Sequence, residues 1–141
     1  MKYKVGYVPG TFDLFHIGHL NIIKNAKNIC DYLICTVSTD ELVLAHKNKL
    51  PVIPFQERME IVKAIRYVDE VIPQINQNKY LQWQENGFDA IFVGDDLKGT
   101  SNWLEYEEKL KPVGVDFFYF PYTNTTSSTL IAHFIKGSLD L

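Results

Sequence analysis

The chain has 141 residues, a formal net charge of −3 and no apolar run near the roughly 20 residues of a membrane-spanning helix. With 46% hydrophobic and 22% charged residues it reads as one globular domain with a buried core, neither inserted in a membrane nor drawn to nucleic acid by its overall charge. The start, MKYKVGY, enters a strand pattern without the apolar stretch of a secretory leader, so a cytoplasmic protein is expected.

The apolar run at residues 5–8 reads as a short buried strand that Pro9-Gly10 ends. From Ile17 the pattern turns helical, with Leu20, Ile23, Ala26 and Ile29 at spacings of three. A strand therefore delivers a loop into a helix N-terminus, whose unpaired N–H groups and partial positive charge suit an anion, phosphate above all. His16 and His19, three apart, share a face of the first turn, and Gly18 between them leaves room for a close ligand. Gly10 supplies backbone freedom and Thr11 a hydroxyl. Two histidines alone would pass for surface residues, but the string G-T-F-D-x-x-H-x-G-H between a strand and a helix favours a functional site.

Cys30 and Cys35, the second inside YLICTV, read as buried thiols. Strand two is expected over residues 32–38, followed by a helical turn begun by Thr39-Asp40-Glu41. The basic stretch His46-Lys47-Asn48-Lys49 then lies at the C-terminal edge of a strand, where open α/β sheets bind ligands. Pro54 suits the first position of a third helix, with Met59, Ile61, Val62 and Ile65 as its apolar face and Arg58 and Arg66 as its cations. Residues 67–73 read as a turn into strand three, and residues 77–86 as a helix with Leu81 and Trp83 inward and Gly87 as its stop.

Strand four, residues 88–93, ends in Gly94-Asp95-Asp96-Leu97-Lys98-Gly99, a polar loop in the same relative place as the loop after strand one. A helix over 103–111, a break at Pro112-Val113-Gly114 and a fifth strand over 115–120 follow. The hydroxyl-rich stretch 122–129 precedes a last helix, residues 130–136, with Ser127 or Ser128 as N-cap. Alternating strands and helices call for a doubly wound, Rossmann-like sheet of five parallel strands, with strands one and four flanking the switch point.

GTFDLFHIGH resembles the signature of the HxGH nucleotidyltransferase superfamily, and its Thr-Phe-Asp form is most similar to the cytidylyltransferases, those acting on glycerol 3-phosphate in particular. Glu57-Arg58, residues 65–71 and the GDD at 94–96 also match that family, so the likeness spans nearly the whole chain. Residues 122–129 match its second signature, R-T-x-G-I-S-T-T, at Thr123, Ser127 and Thr129, with Ser128 in place of a Thr. Tyr122 stands where the family has Arg, which removes one fixed positive charge.

The resemblance implies transfer of a cytidylyl group from CTP to a small phospho-alcohol, with Mg2+ as cofactor and a homodimer as the assembly. It implies nucleotide contacts at Gly10, Thr11, Phe12, Gly18, Asp95 and the 122–129 stretch, and catalytic donors at His16, His19, Lys49 and Arg66. Lys47 and Lys79 would hold the acceptor phosphate, and no all-protein metal site is expected. Adenylyl transfer and a non-catalytic nucleotide-binding protein remain the alternatives. A redox Rossmann protein is disfavoured, because G-x-G-x-x-G is absent after strand one.

Overall fold

The computed structural model describes residues 2–121 and 128–139. Five parallel strands form one sheet in the order β3-β2-β1-β4-β5. They are β1 (Tyr3–Gly10), β2 (Cys30–Ser38), β3 (Glu70–Gln74), β4 (Ala90–Gly94) and β5 (Asp116–Phe120). Helices α1 (Ile17–Asn28), α2 (Asp40–Lys47), α3 (Phe55–Lys63), α4 (Lys79–Asn86), α5 (Ser101–Leu110) and α6 (Ser128–Leu139) alternate with them. The chain runs outward from β1 to β3, then returns to lay β4 on the other side of β1, so the direction of winding reverses between β1 and β4. Ligand crevices of open α/β sheets form at that point.

Period-two alternation splits the core between the two faces of the sheet. Val8, Leu33, Cys35, Val37, Ala90 and Phe92 pack on one face with Ile23 and Ala26 of α1 and Val62 of α3. Tyr7, Ile34, Ile91 and Val93 pack on the other with Trp103 and Leu110 of α5. Gly6 sits at the closest point, where a Cβ would lie 2.7 Å from Cys30 Sγ and 2.8 Å from the Phe92 ring. Both cysteines are free and buried, and burial pushes their thiols up, so they are core residues.

Several boundaries differ from the sequence reading. Pro54 is the N-cap of α3 and not its first helical residue, and α3 stops at Lys63, which leaves Arg66 in the following turn. In α4 the buried residues are Lys79 and Gln82, while Leu81 is 38% exposed. The reason is polar: the Tyr7 hydroxyl, buried under α4, donates to Gln82 Oε1 at 2.9 Å, and Gln82 Nε2 donates to Asn76 O at 2.9 Å. A buried hydroxyl without an acceptor costs about 1 to 3 kcal/mol, so the helix turns its glutamine inward. Among the described residues no helix is long and apolar enough to cross a membrane.

Candidate active site

The start of α1 explains the spacing of its histidines. His16 is the N-cap, in extended backbone, and its Nδ1 accepts from Gly18 N–H at 3.0 Å. Three residues on, His19 Nδ1 accepts from His16 N–H at 3.2 Å, so the two imidazoles complete a reciprocal capping box. With each Nδ1 occupied as an acceptor, the neutral rings carry their protons on Nε2. The ring centroids lie 3.9 Å apart. The two side chains thus cap the helix with one nitrogen and keep the other as a donor.

Burial holds both imidazoles below the usual histidine range, His19 to about 4, with the neighbouring His16 adding to the effect and Asp13 opposing it. The unfolded chain therefore takes up a proton near pH 6.5 that folded His19 refuses until about pH 4. Stability is expected to fall as the pH drops through that window, by up to about 3 kcal/mol. Urea midpoints recorded from pH 7.5 to 4 check this, and His19→Gln should flatten the profile; an equal slope in that variant would place the loss elsewhere.

The loop feeding α1 is strained. Phe12 and Leu14 adopt φ of 54° and 49°, the left-handed region that costs a non-glycine residue about 1 to 3 kcal/mol. The Phe12 ring is 5% exposed and packs in the core, its centroid 5.4 Å from that of His19. Gly10 makes room for it, since a Cβ there would lie 2.9 Å from the ring. The sequence reading gives Phe12 to the nucleotide; the residue is buried in the core cluster and also lines the cleft described below.

Two hubs bind this loop to its neighbours. Asp13 accepts from Val52 N–H at 2.8 Å and Ile53 N–H at 2.9 Å, and its carbonyl accepts from the Ser128 hydroxyl. Arg58, fully buried in α3, donates to Thr11 O, Ser38 O and Ile53 O and pairs with Asp40 at 2.6 Å. Between the hubs runs the basic segment. Lys47 ends α2, Asn48 at φ 55° caps it in the left-handed conformation, and the chain then turns to carry Lys49 across the strand ends.

These elements enclose a cleft of about 460 Å³ at the C-terminal ends of β1 and β4. Gly10, Thr11, Phe12, His19, Lys47, Lys49, Ser128 and Thr129 all line it, which joins residues up to 119 positions apart (Gly10 to Thr129). His16 stands beside His19 and Gly18 between them on the first turn. Asp95 is not on the wall; Asp96 is, at the end of β4, and Gly94 leaves space for its carboxylate. Arg66 does not line the cleft either, and its guanidinium lies against Tyr67, donating to the hydroxyl at 3.0 Å. Tyr122, Thr123 and Ser127 lie outside the described residues.

Lys79 lines a second pocket of about 300 Å³ with His46, Gln77, Asn102, Tyr106 and Lys109. It is 2% exposed, its Nζ sits 5.3 Å from the centre of the Tyr106 ring, and burial lowers it to about 8. The last turn of α2 separates the two pockets, with His46 in one and Lys47 in the other. The sequence reading brings the Asp95-Asp96 loop to the crevice without telling which of the two carboxylates lines it, and it omits Asp13 and the inward course of Arg58. Those residues stand in the motifs GTFD and Glu57-Arg58, and nothing local tells which carboxylate or guanidinium turns inward.

Comparison with known proteins agrees with this placement. The profile of the cytidylyltransferase-like family matches residues 7–134. The glycerol-3-phosphate cytidylyltransferase of Bacillus subtilis (strain 168) is 36% identical over 138 residues, 97% of this chain and 99% of its own. The FAD synthase of Pyrococcus abyssi (strain GE5 / Orsay) is 45% identical over 118 residues, 82% of this chain and 78% of its own. The solved structure of the lipopolysaccharide core biosynthesis protein from Thermoplasma volcanium GSS1 superposes with a TM-score of 0.71 at 22% identity, covering 88% of this chain and 99% of that one, and so shares the fold. A capped histidine pair and two lysines around a strand-end cleft, together with matches over nearly the full length, mean that this chain belongs to the cytidylyltransferase-like family and is a nucleotidyltransferase.

Proposed function

We propose that the enzyme transfers a cytidylyl group from CTP to a small phosphorylated alcohol, glycerol 3-phosphate before others, and releases pyrophosphate. The observation that carries this reading is the cleft itself, which His19, Lys47 and Lys49 line, with the His16 ring 3.9 Å from that of His19. An acceptor phosphate loses its second proton near pH 6, about the value of a phosphomonoester, so it needs no general base at pH 7. One of its oxygens attacks the α-phosphorus of CTP, and the bond from that phosphorus to the bridging oxygen breaks as pyrophosphate leaves. What the protein must supply is in-line positioning and stabilisation of negative charge.

In this reading His16 and His19 donate through Nε2–H to the triphosphate, and their neutrality spares the site any proton exchange. Lys49 meets the nucleotide phosphates and Lys47 the acceptor phosphate, while Lys79 reaches the acceptor from the neighbouring pocket. Thr11, Ser128 and Thr129 add hydroxyls. Among the described residues no group of three metal-binding side chains occurs, and of the two carboxylates that line the cleft Asp13 already accepts from Val52 and Ile53 N–H, which leaves Asp96 as the one suited to a hard cation. Mg2+ so held, mostly by phosphate oxygens and water, would supply charge neutralisation at the β- and γ-phosphates. Arg66 and Asp95, off the wall of the cleft, have no part in this scheme.

Pyrophosphate release with Mg2+ and glycerol 3-phosphate is expected to be faster from CTP than from ATP. Activity confined to ATP and an adenylyl acceptor would favour the second reading, adenylyl transfer, which the 45% identity to an FAD synthase supports. We also read the enzyme as a cytoplasmic homodimer with the Arg66–Tyr67 surface near its contact, which sedimentation of the same preparation would test.

A further inference from the structure

Arg58 is absent from the wall of the cleft, yet it is the largest fully buried side chain among the described residues. Its Nη1 donates to Thr11 O and to Ser38 O, both at 2.7 Å, its Nε to Ile53 O at 2.8 Å, and its Nη2 to Asp40 Oδ1 at 2.6 Å. The four acceptors come from four segments: the turn after β1, the end of β2, the segment after Lys49, and the start of α2. An apolar side chain would fill the same volume without the desolvation that a buried guanidinium entails. The fork of donors ties together backbone that packing alone leaves free to shift.

The bond to Thr11 has a directional effect. In a trans peptide the carbonyl and the following N–H point opposite ways, so Thr11 O turned toward Arg58 turns the Phe12 N–H away from it. That N–H has no acceptor among the described residues, and Phe12 borders the cleft although its ring is buried. The residue is also held at φ 54°, a conformation that persists where surrounding contacts impose it. From this geometry we infer that Arg58 is a positioning residue of the anion site: it holds the turn at Phe12 left-handed, presents the Phe12 N–H to the phosphates, and fixes the Lys49 segment against the histidines through Ile53 O.

The activity arm of the test rests on the nucleotidyl-transfer reading above; the spectroscopic arm does not. Arg58→Lys keeps the charge and loses the fork. It is expected to fold, to shift the amide resonance and the φ-dependent coupling of Phe12 in the ligand-free protein, and to lower kcat/KM for CTP about 100-fold, the loss typical of a 1 Å misplacement. Val62→Ala, a buried change in the same helix that touches no loop carbonyl, should lower the melting temperature and leave both readouts as in wild type. Methylguanidinium added to Arg58→Ala should restore part of the lost activity and the Phe12 signal together.

Wild-type Phe12 signals and turnover in Arg58→Lys would overturn the proposal, as would equal losses in Val62→Ala. Failure of both Arg58 variants to fold even with methylguanidinium would also overturn it, by making Arg58 a prop of the whole fold. If wild type neither binds nor turns over CTP, the function reading falls while the Phe12 signals still decide this one.

Discussion

His16→Ala and His19→Ala are each expected to lower turnover by about 100- to 1000-fold, the usual loss when one preorganised donor to a transition state is removed. Stability should change far less. Losing the N-cap costs about 1 kcal/mol, and His19 is partly solvent-accessible, so far-UV circular dichroism should stay native. The capping geometry allows a sharper version of the experiment. His16→Asn keeps a side-chain oxygen for the helix N–H groups but cannot place a donor where Nε2–H was. It should therefore recover the stability lost in His16→Ala and leave turnover low. Near-normal turnover in either alanine variant, measured as pyrophosphate release, would remove that histidine from the mechanism.

Phe12→Ala should destabilise the protein by about 3 to 5 kcal/mol, the range for truncating a buried aromatic ring. The ring is wedged among Gly10, Phe15 and His19 and forms part of the same core cluster as Val8, Ile23 and Phe92. For a domain of this size the melting temperature should fall by about 10 °C or more. A ring that stacked on a nucleotide would behave in the opposite way, with affinity lost and the melting point kept. A drop of only a few degrees together with lost CTP binding would return Phe12 to the ligand.

That contrast marks where the sequence stops being informative. The turn from β1 into α1 was legible because a β-patterned run, a Pro-Gly break and a three-residue period follow one another, and each signal is local. The parallel sheet and its switch point followed from alternation alone. What a motif does not state is which part of a residue it uses: Phe12, expected against the nucleotide, has its ring in the core cluster and also borders the cleft. Arg58 was equally opaque, since its partners lie 5, 18, 20 and 47 positions away and no window of sequence contains them all. In α4 the apolar Leu81 pointed to a buried face that the structure gives to Gln82, because the deciding partner, Tyr7, sits 75 positions earlier. Arg66 continued a helical pattern that ends at Lys63, and its guanidinium lies against Tyr67 instead of the cleft.

The histidine capping box has a consequence for how this site tolerates change. A residue that ends a helix and a residue that meets a substrate are ordinarily separate positions, free to vary one at a time. Here the same two rings serve both ends, one nitrogen facing the backbone and the other facing outward across the ring. Asparagine and glutamine reproduce the inner nitrogen as an acceptor, but their amide donor sits on the same terminal carbon as that acceptor, so when the oxygen caps the helix the donor does not stand where the ring carries Nε2–H. Drift at either position is thereby closed off twice over, since a replacement that keeps the helix start gives up the chemistry and the reverse replacement frays the helix on which the chemistry stands.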